Sequence, residues 1–257
     1  MFKPLFFLAM VLVGYLAQFV DGTLGMGYGV FSASLLVSIG LYPVVASASV
    51  HTAEVFTTLL SGVSHFKLGN VKRDLVLSLA IPGVIGGVAG AYFLASVPGK
   101  TIKPFVAIVL LMMGLLILYR FLVRKNPITP QKNGYSYWKL TLLGLAAGFM
   151  DAVGGGGWGP IATPSLILDG NGEPRQVVGS VNLVEFFVTV AETLTFLITV
   201  GPEAFRWDIV VALLIGGAIA APLAAFTCKK LPHKALGSLI GVALVGLNVR
   251  TLLSFFM

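Results

Sequence analysis

The chain has 257 residues, of which 57% are hydrophobic and only 11% charged, and it carries a formal net charge of +7. A soluble core of this size could not hide so many apolar residues, so the composition places the protein in a lipid bilayer. The basic residues lie in short connections between apolar runs and form no stripe, which excludes nucleic acid as the partner of the positive charge.

In chain order, apolar runs are predicted at about 4–20, 28–42, 44–65, 75–96 and 102–123, and then at about 138–150, 158–168, 175–200, 207–228 and 233–256. The first run follows Lys3 and resembles a signal peptide. It has one basic residue before it, no small-x-small site after it and a counterpart inside the second half, so it is expected to be retained. Between Arg124 and Tyr137, charge, turn formers and two prolines interrupt any helix. The chain is therefore divided into a first membrane repeat (1–123), a linker (124–137) and a second membrane repeat (138–257). The lone Cys228 allows neither an intramolecular disulfide nor a cysteine zinc cage and is read as a small apolar helix residue.

The same polar punctuation occurs in both repeats. Asp21 with Gly25, Gly27 and Gly29 returns as Asp151 with Gly155, Gly157 and Gly159, and Ser49 with Glu54 returns as Ser180 with Glu185. Transporters built from such duplications place their site where corresponding broken segments meet. The first two runs of each repeat are short for a full crossing and read as a broken or re-entrant pair meeting at a glycine-rich apex. Three transmembrane helices then follow in each repeat, which makes the fold an all-α polytopic membrane protein of two inverted repeats. On that topology twelve of the seventeen Lys and Arg residues fall on one side, so the linker is expected in the cytoplasm and both termini in the periplasm. Counting each pair as one crossing gives a weaker split, eleven to six.

Two constellations could carry chemistry. At the apexes, Gly25, Gly27, Gly155, Gly156 and Gly157 would let backbone amides approach a ligand, and a helix starting after each apex would offer an anion its N-terminus. Glycine can also serve tight helix packing, the role preferred for Gly86, Gly87 and Gly90. The second constellation is a polar stripe: Ser47, His51, Glu54, Thr58, Ser61 and His65 recur at spacings of three and four, on one helical face. Asn182, Glu185, Thr189 and Glu192 occupy the positions matching His51, Glu54, Thr58 and Ser61. Ser49, His51, Ser180 and Asn182 are candidate hydrogen-bonding groups for a substrate. Asp21, Glu54, Asp151 and Glu185 are candidates for carrying a proton or orienting the site, with a neutral acid bracing two helices as the structural alternative. His51 and Glu54 spell H-x-x-E, but zinc would need further ligands and Asn182 is a poor one, so no metal or other cofactor is expected. Asp169-Gly-Asn171-Gly-Glu173 resembles a calcium loop whose twelfth position is Ser180, and is read as a polar turn.

With GMGYG, PVVASASVHTAE and SHFKLGNV in the first half and DAVGGGGWGPIATPSLI and PRQVVGSVNLVEFF in the second, the whole chain resembles the sulfite exporter TauE/SafE family of membrane permeases. The resemblance implies transport of sulfite, a sulfonate, thiosulfate or a related small sulfur-containing anion across a bacterial cytoplasmic membrane. A proton-coupled carrier is the leading expectation, and a small-anion channel the alternative.

Overall fold

A computed structural model describes residues 4–123, 135–169, 173–227 and 233–256. Every regular element among them is helical: α1 (Pro4–Leu24), α2 (Tyr28–Ser38), α3 (Pro43–Lys67), α4 (Arg73–Ser96), α5 (Gly99–Leu118), α6 (Tyr137–Gly154), α7 (Trp158–Asp169), α8 (Pro174–Val200), α9 (Trp207–Thr227) and α10 (His233–Phe256). A π-turn over Tyr119–Val123 extends α5, and a 3₁₀ turn over Pro202–Ala204 joins α8 to α9. Six helices are long and apolar enough to cross a membrane: α1, α4, α5, α8, α9 and α10. At 25 residues, or about 37 Å, α3 has the length as well, but its polar stripe lowers its hydropathy. Most of the linker, Cys228 and positions 170–172 of the predicted turn lie outside the described residues.

The first helix departs from expectation. Instead of ending near residue 20 it continues through Asp21 to Leu24 and reaches spanning length. Asp21 is 2% exposed, so its carboxyl meets protein and not lipid. A polar residue that faces a protein interior has no reason to end a membrane helix.

Outward faces follow helical spacing. Leu5, Leu8, Leu12 and Leu16 on α1, Leu77, Ile81 and Ile85 on α4, and Val211, Ile215, Ile219 and Leu223 on α9 are all exposed. In water such stripes would promote aggregation; in a bilayer they are the lipid-facing surface.

Packing between helices is reciprocal. The pair α1 and α9 lies in close contact, as does the pair α4 and α6, which hold the corresponding positions with the halves exchanged. Backbone meets backbone in both: a Cβ on Gly14 would lie 2.3 Å from Leu213 O, and one on Gly86 would lie 2.2 Å from Leu145 O. Small residues allow this approach where no hydrophobic force separates protein from lipid. At the centre, α3 packs on α8. Contacts His51–Glu192 and Ser61–Asn182 show that these two helices run antiparallel.

Candidate functional site: a buried polar crossing beside two glycine apexes

The spacing seen in sequence puts the α3 stripe on one face, and the structure buries all of it. Ser47, His51, Glu54, Thr58, Ser61 and His65 are each 0–1% exposed. Burial is possible because α8 brings its own polar face, with Asn182, Glu185, Thr189 and Glu192 also buried. Polar groups then meet polar groups instead of lipid.

His51 is the hub. Its Nδ1 lies 2.8 Å from the Ser47 carbonyl, which can only accept, so Nδ1 carries a hydrogen. That fixes Nε2 toward the carboxylates: Glu192 Oε2 at 2.6 Å and Asp151 Oδ2 at 3.6 Å. Phe196, itself fully buried, stands edge-on to the imidazole at 6.2 Å and closes one side. The Ser47 hydroxyl also holds the end of α6, donating to Ala152 O at 2.6 Å. Gly87 of α4 makes room for the acid, since a Cβ there would lie 2.6 Å from Glu192 Oε1.

One imidazole and two carboxylates whose ligating atoms lie within 4.8 Å of one another are a set from which metal sites are made. The geometry does not fit one here. A metal bound to both His51 and Glu192 at about 2.0–2.2 Å would hold their atoms roughly 3 Å apart, whereas they lie 2.6 Å apart as an ion pair, with neither atom in hydrogen-bond geometry to any partner.

The quasi-equivalent crossing is neutral. Ser61 Oγ donates to Asn182 Oδ1 at 2.7 Å, and Asn182 Nδ2 donates to Val178 O at 3.1 Å. Nearby on α1, Gln18 is fully buried, and neither its amide oxygen nor its nitrogen has a hydrogen-bond partner. Asp21 Oδ2 and Glu54 Oε2 are likewise buried without a partner. Glu185 is 5% exposed.

Both apexes are closed turns. Gly25 (φ +69°) and Gly155 (φ +73°) end α1 and α6 in the left-handed conformation that glycine adopts without penalty, with N–H groups returning to Asp21 O and Asp151 O. Gly27 (φ +130°) and Gly156 (φ +149°) then redirect the chain into α2 and α7. Each aspartate caps the helix that follows. Trp158 N–H donates to Asp151 Oδ1 at 2.9 Å, and Tyr28 N–H bonds Asp21 in the same way. The apexes also press on each other: a Cβ on Gly29 would lie 2.5 Å from Gly156 Cα, and one on Gly159 would lie 2.7 Å from Met26 Cα. Gly157 is confined by its own hairpin, with Met150 and Asp151 backbone 2.7–2.8 Å from a Cβ.

Of the residues singled out in sequence, the structure therefore gathers His51, Asp151, Glu54 and Asn182 around the α3–α8 contact, with Gly25 against Val178 of α8 and Gly155 against Ser47 of α3, while Gly27 faces Val20 and Ile240. It engages Ser49 and Ser180 elsewhere. The Ser49 hydroxyl accepts Arg206 N–H at 3.0 Å and the Ser180 hydroxyl accepts Lys72 N–H at 2.8 Å, at the entries to α9 and α4. Sequence reasoning missed Gln18 as a site residue, although a lone amide one turn before Asp21 in an apolar run was a visible signal. Glu192 was seen only as the register mate of Ser61.

Comparison with known proteins agrees with this architecture. The family model described as Sulfite exporter TauE/SafE matches residues 10–251. The chain belongs to the TauE/SafE family. It is 47% identical over 243 residues, 94% of this chain and 81% of the relative, to the "Probable membrane transporter protein YtnM" of Bacillus subtilis (strain 168). It is also 27% identical over 181 residues, covering 70% of this chain and 73% of the relative, to the "Probable membrane transporter protein YdhB" of the same organism. No solved structure matches. A TauE/SafE membrane transporter with six candidate spans is a multi-pass membrane protein, and its buried polar crossing lies where lipid cannot reach.

Proposed function

We propose that this chain is a carrier that exports sulfite or a closely related small sulfur-containing anion, such as a sulfonate or thiosulfate, in exchange for protons. Family membership supports the substrate class. The observation that carries the reading is the concentration of buried, unpartnered polar atoms beside the two apexes: the Gln18 amide, Asp21 Oδ2 and Glu54 Oε2. Each unsatisfied buried group costs about 1–3 kcal/mol, a cost that a bound oxyanion would relieve by accepting from the Gln18 amide N–H and, when they hold protons, from the Asp21 and Glu54 carboxyls. The anion-facing residues in this reading are Gly25, Gly27, Gly155, Gly156 and Gly157 with His51 and Asn182, while Ser49 and Ser180, whose hydroxyls accept main-chain N–H groups at the entries to α9 and α4, hold the frame around them. Asp21, Glu54, Asp151 and Glu185 orient the site or carry protons. The apexes touch in this conformation, so anion entry requires them to separate, as alternating access would do.

The inverted topology is part of the proposal. Antiparallel packing of α3 on α8 and the exchanged pairs α1–α9 and α4–α6 support it, and the basic asymmetry orients the linker to the cytoplasm with both termini outside. Single-cysteine labelling in a Cys228-free background tests the orientation: labelling of linker positions from outside intact cells overturns it.

Transport itself is tested in proteoliposomes with sulfite against thiosulfate, sulfate and sulfoacetate, with and without an imposed pH gradient. Saturable flux with countertransport of at least one sulfur anion is the expected result. Unsaturable flux without countertransport would make the protein a channel, and no flux of any of them through folded protein would end the reading.

A further inference from the structure

Resting on the anion-carrier reading, we propose that one proton per transport cycle is carried at a single site, the His51–Glu192–Asp151 crossing, and that the neutral Asn182–Ser61 crossing carries none. The argument is geometric. His51 Nδ1 is committed to a carbonyl, so the only exchangeable position on the ring is Nε2, which faces Glu192 at 2.6 Å and Asp151 at 3.6 Å. Two carboxylates at 0–1% exposure, sharing one imidazole, have one positive partner too few when all three are ionised. One bound proton balances the set and its release unbalances it. The step changes no bond except the O–H or N–H holding that proton, which passes to water on whichever side the site opens.

The surroundings bear on the same group. Asp21 on α1, Tyr28 on α2, Glu54 on α3 and Glu185 on α8 are the other titratable side chains facing this region, and all are buried. The described contacts of α4 with the cluster come from Gly87, which is not titratable. At the second crossing the positions of His51 and Glu192 are taken by Asn182 and Ser61, neither of which can hold an exchangeable proton near neutral pH. Asp21 has no ion pair with an imidazole among the described residues, and the one imidazole near this crossing, His65, has both ring nitrogens engaged, Nε2 with Gly22 O at 3.0 Å and Nδ1 with Asn70 Nδ2 at 3.3 Å.

The stoichiometry gives the test. In proteoliposomes held at zero membrane potential, coupling to one proton changes sulfite accumulation by about tenfold per imposed pH unit, relative to protein-free vesicles, and coupling to two by about a hundredfold. Sulfite counterflow at equal pH is measured on each sample, so that each gradient response is expressed relative to that variant's own carrier activity. Wild type should give the tenfold response. Glu192→Gln should reduce it to less than twofold, and Gly87→Ala, which changes no polar group but displaces the Glu192 side chain, should weaken it. Ser61→Ala should leave it tenfold. Infrared difference spectra across pH on purified protein should show a carboxylic-acid signal that Glu192→Gln removes, a readout that needs no substrate. An undiminished response in Glu192→Gln, or a hundredfold response in wild type, overturns the single-site proposal while counterflow shows that the carrier reading stands. Absence of counterflow for sulfite, thiosulfate and sulfoacetate in wild type overturns both.

Discussion

Along the contact between α3 and α8, the same pair of register positions is used twice with different chemistry. One crossing pairs His51 with Glu192 and adds Asp151; the other pairs Asn182 with Ser61. The neighbours adjust to match, since Gly87 leaves space for the larger acid where its register counterpart is Ala221. The neutral crossing shows that the helix pair can be held by an ordinary hydrogen bond. Buried ion pairs are often no more stabilising than well-packed neutral groups, so the charged crossing is better explained by what it does than by what it holds together.

The comparison extends to the apexes, where the largest effect is expected. Gly156 corresponds to Met26, and a Cβ on Gly156 would lie 2.0 Å from Val30 N, with φ already at +149°. Gly156→Ala should abolish folded protein in the membrane, a loss beyond about 4–5 kcal/mol, measured by detergent extraction and size-exclusion profile. Met26→Ala at the corresponding place should cost about 2–5 kcal/mol as a buried cavity and leave a recoverable protein. Equal recovery of the two variants would mean that the apexes do not differ as described.

At the crossings, Glu192→Leu should lower stability by roughly 3–5 kcal/mol, because it removes the nearer carboxylate of a buried ion pair and leaves His51 with Asp151 alone at 3.6 Å. Its counterpart Ser61→Ala should cost about 1 kcal/mol. Thermal unfolding in one detergent at one protein concentration compares them, and similar shifts would remove the distinction between an ionic and a neutral crossing. The smallest effects should be alike in both halves. Ser49→Ala and Ser180→Ala each delete a hydroxyl that accepts a main-chain N–H at a helix entry, at about 1 kcal/mol. A selective loss of anion affinity in either variant, with stability preserved, would instead place that serine at the substrate.

Much of this was legible in the chain. The three-and-four spacing of polar residues in an apolar run identified the buried face of α3, because in lipid such residues must turn toward protein. The glycine clusters located both apexes, since glycine is needed where the backbone turns left-handed. The inverted repeats implied that α3 and α8 run antiparallel, but register could not show that the two helices pack face to face at the depth that brings these side chains together. Without that, Glu192 has no reason to meet His51, and Ser61 has none to meet Asn182. The hydroxyls of Ser49 and Ser180 were misleading for a related reason: proximity to His51 or Asn182 in sequence says nothing about a neighbouring helix start that claims the same oxygen. Asp21 was taken as the end of a run because composition cannot tell an aspartate that faces lipid from one that faces a protein interior.

The exchanged pairing of α1 with α9 and of α4 with α6 has a consequence for how the molecule can be divided. Each tightly packed pair borrows one helix from either side of the linker, so the sequence repeats and the mechanical units are not the same objects. A chain severed within the linker should yield two fragments that are individually unstable but reassemble when made together. A rigid-body motion of this transporter would then carry α1 with α9 against α4 with α6, and the linker would tether two interlaced bodies instead of hinging two separate ones.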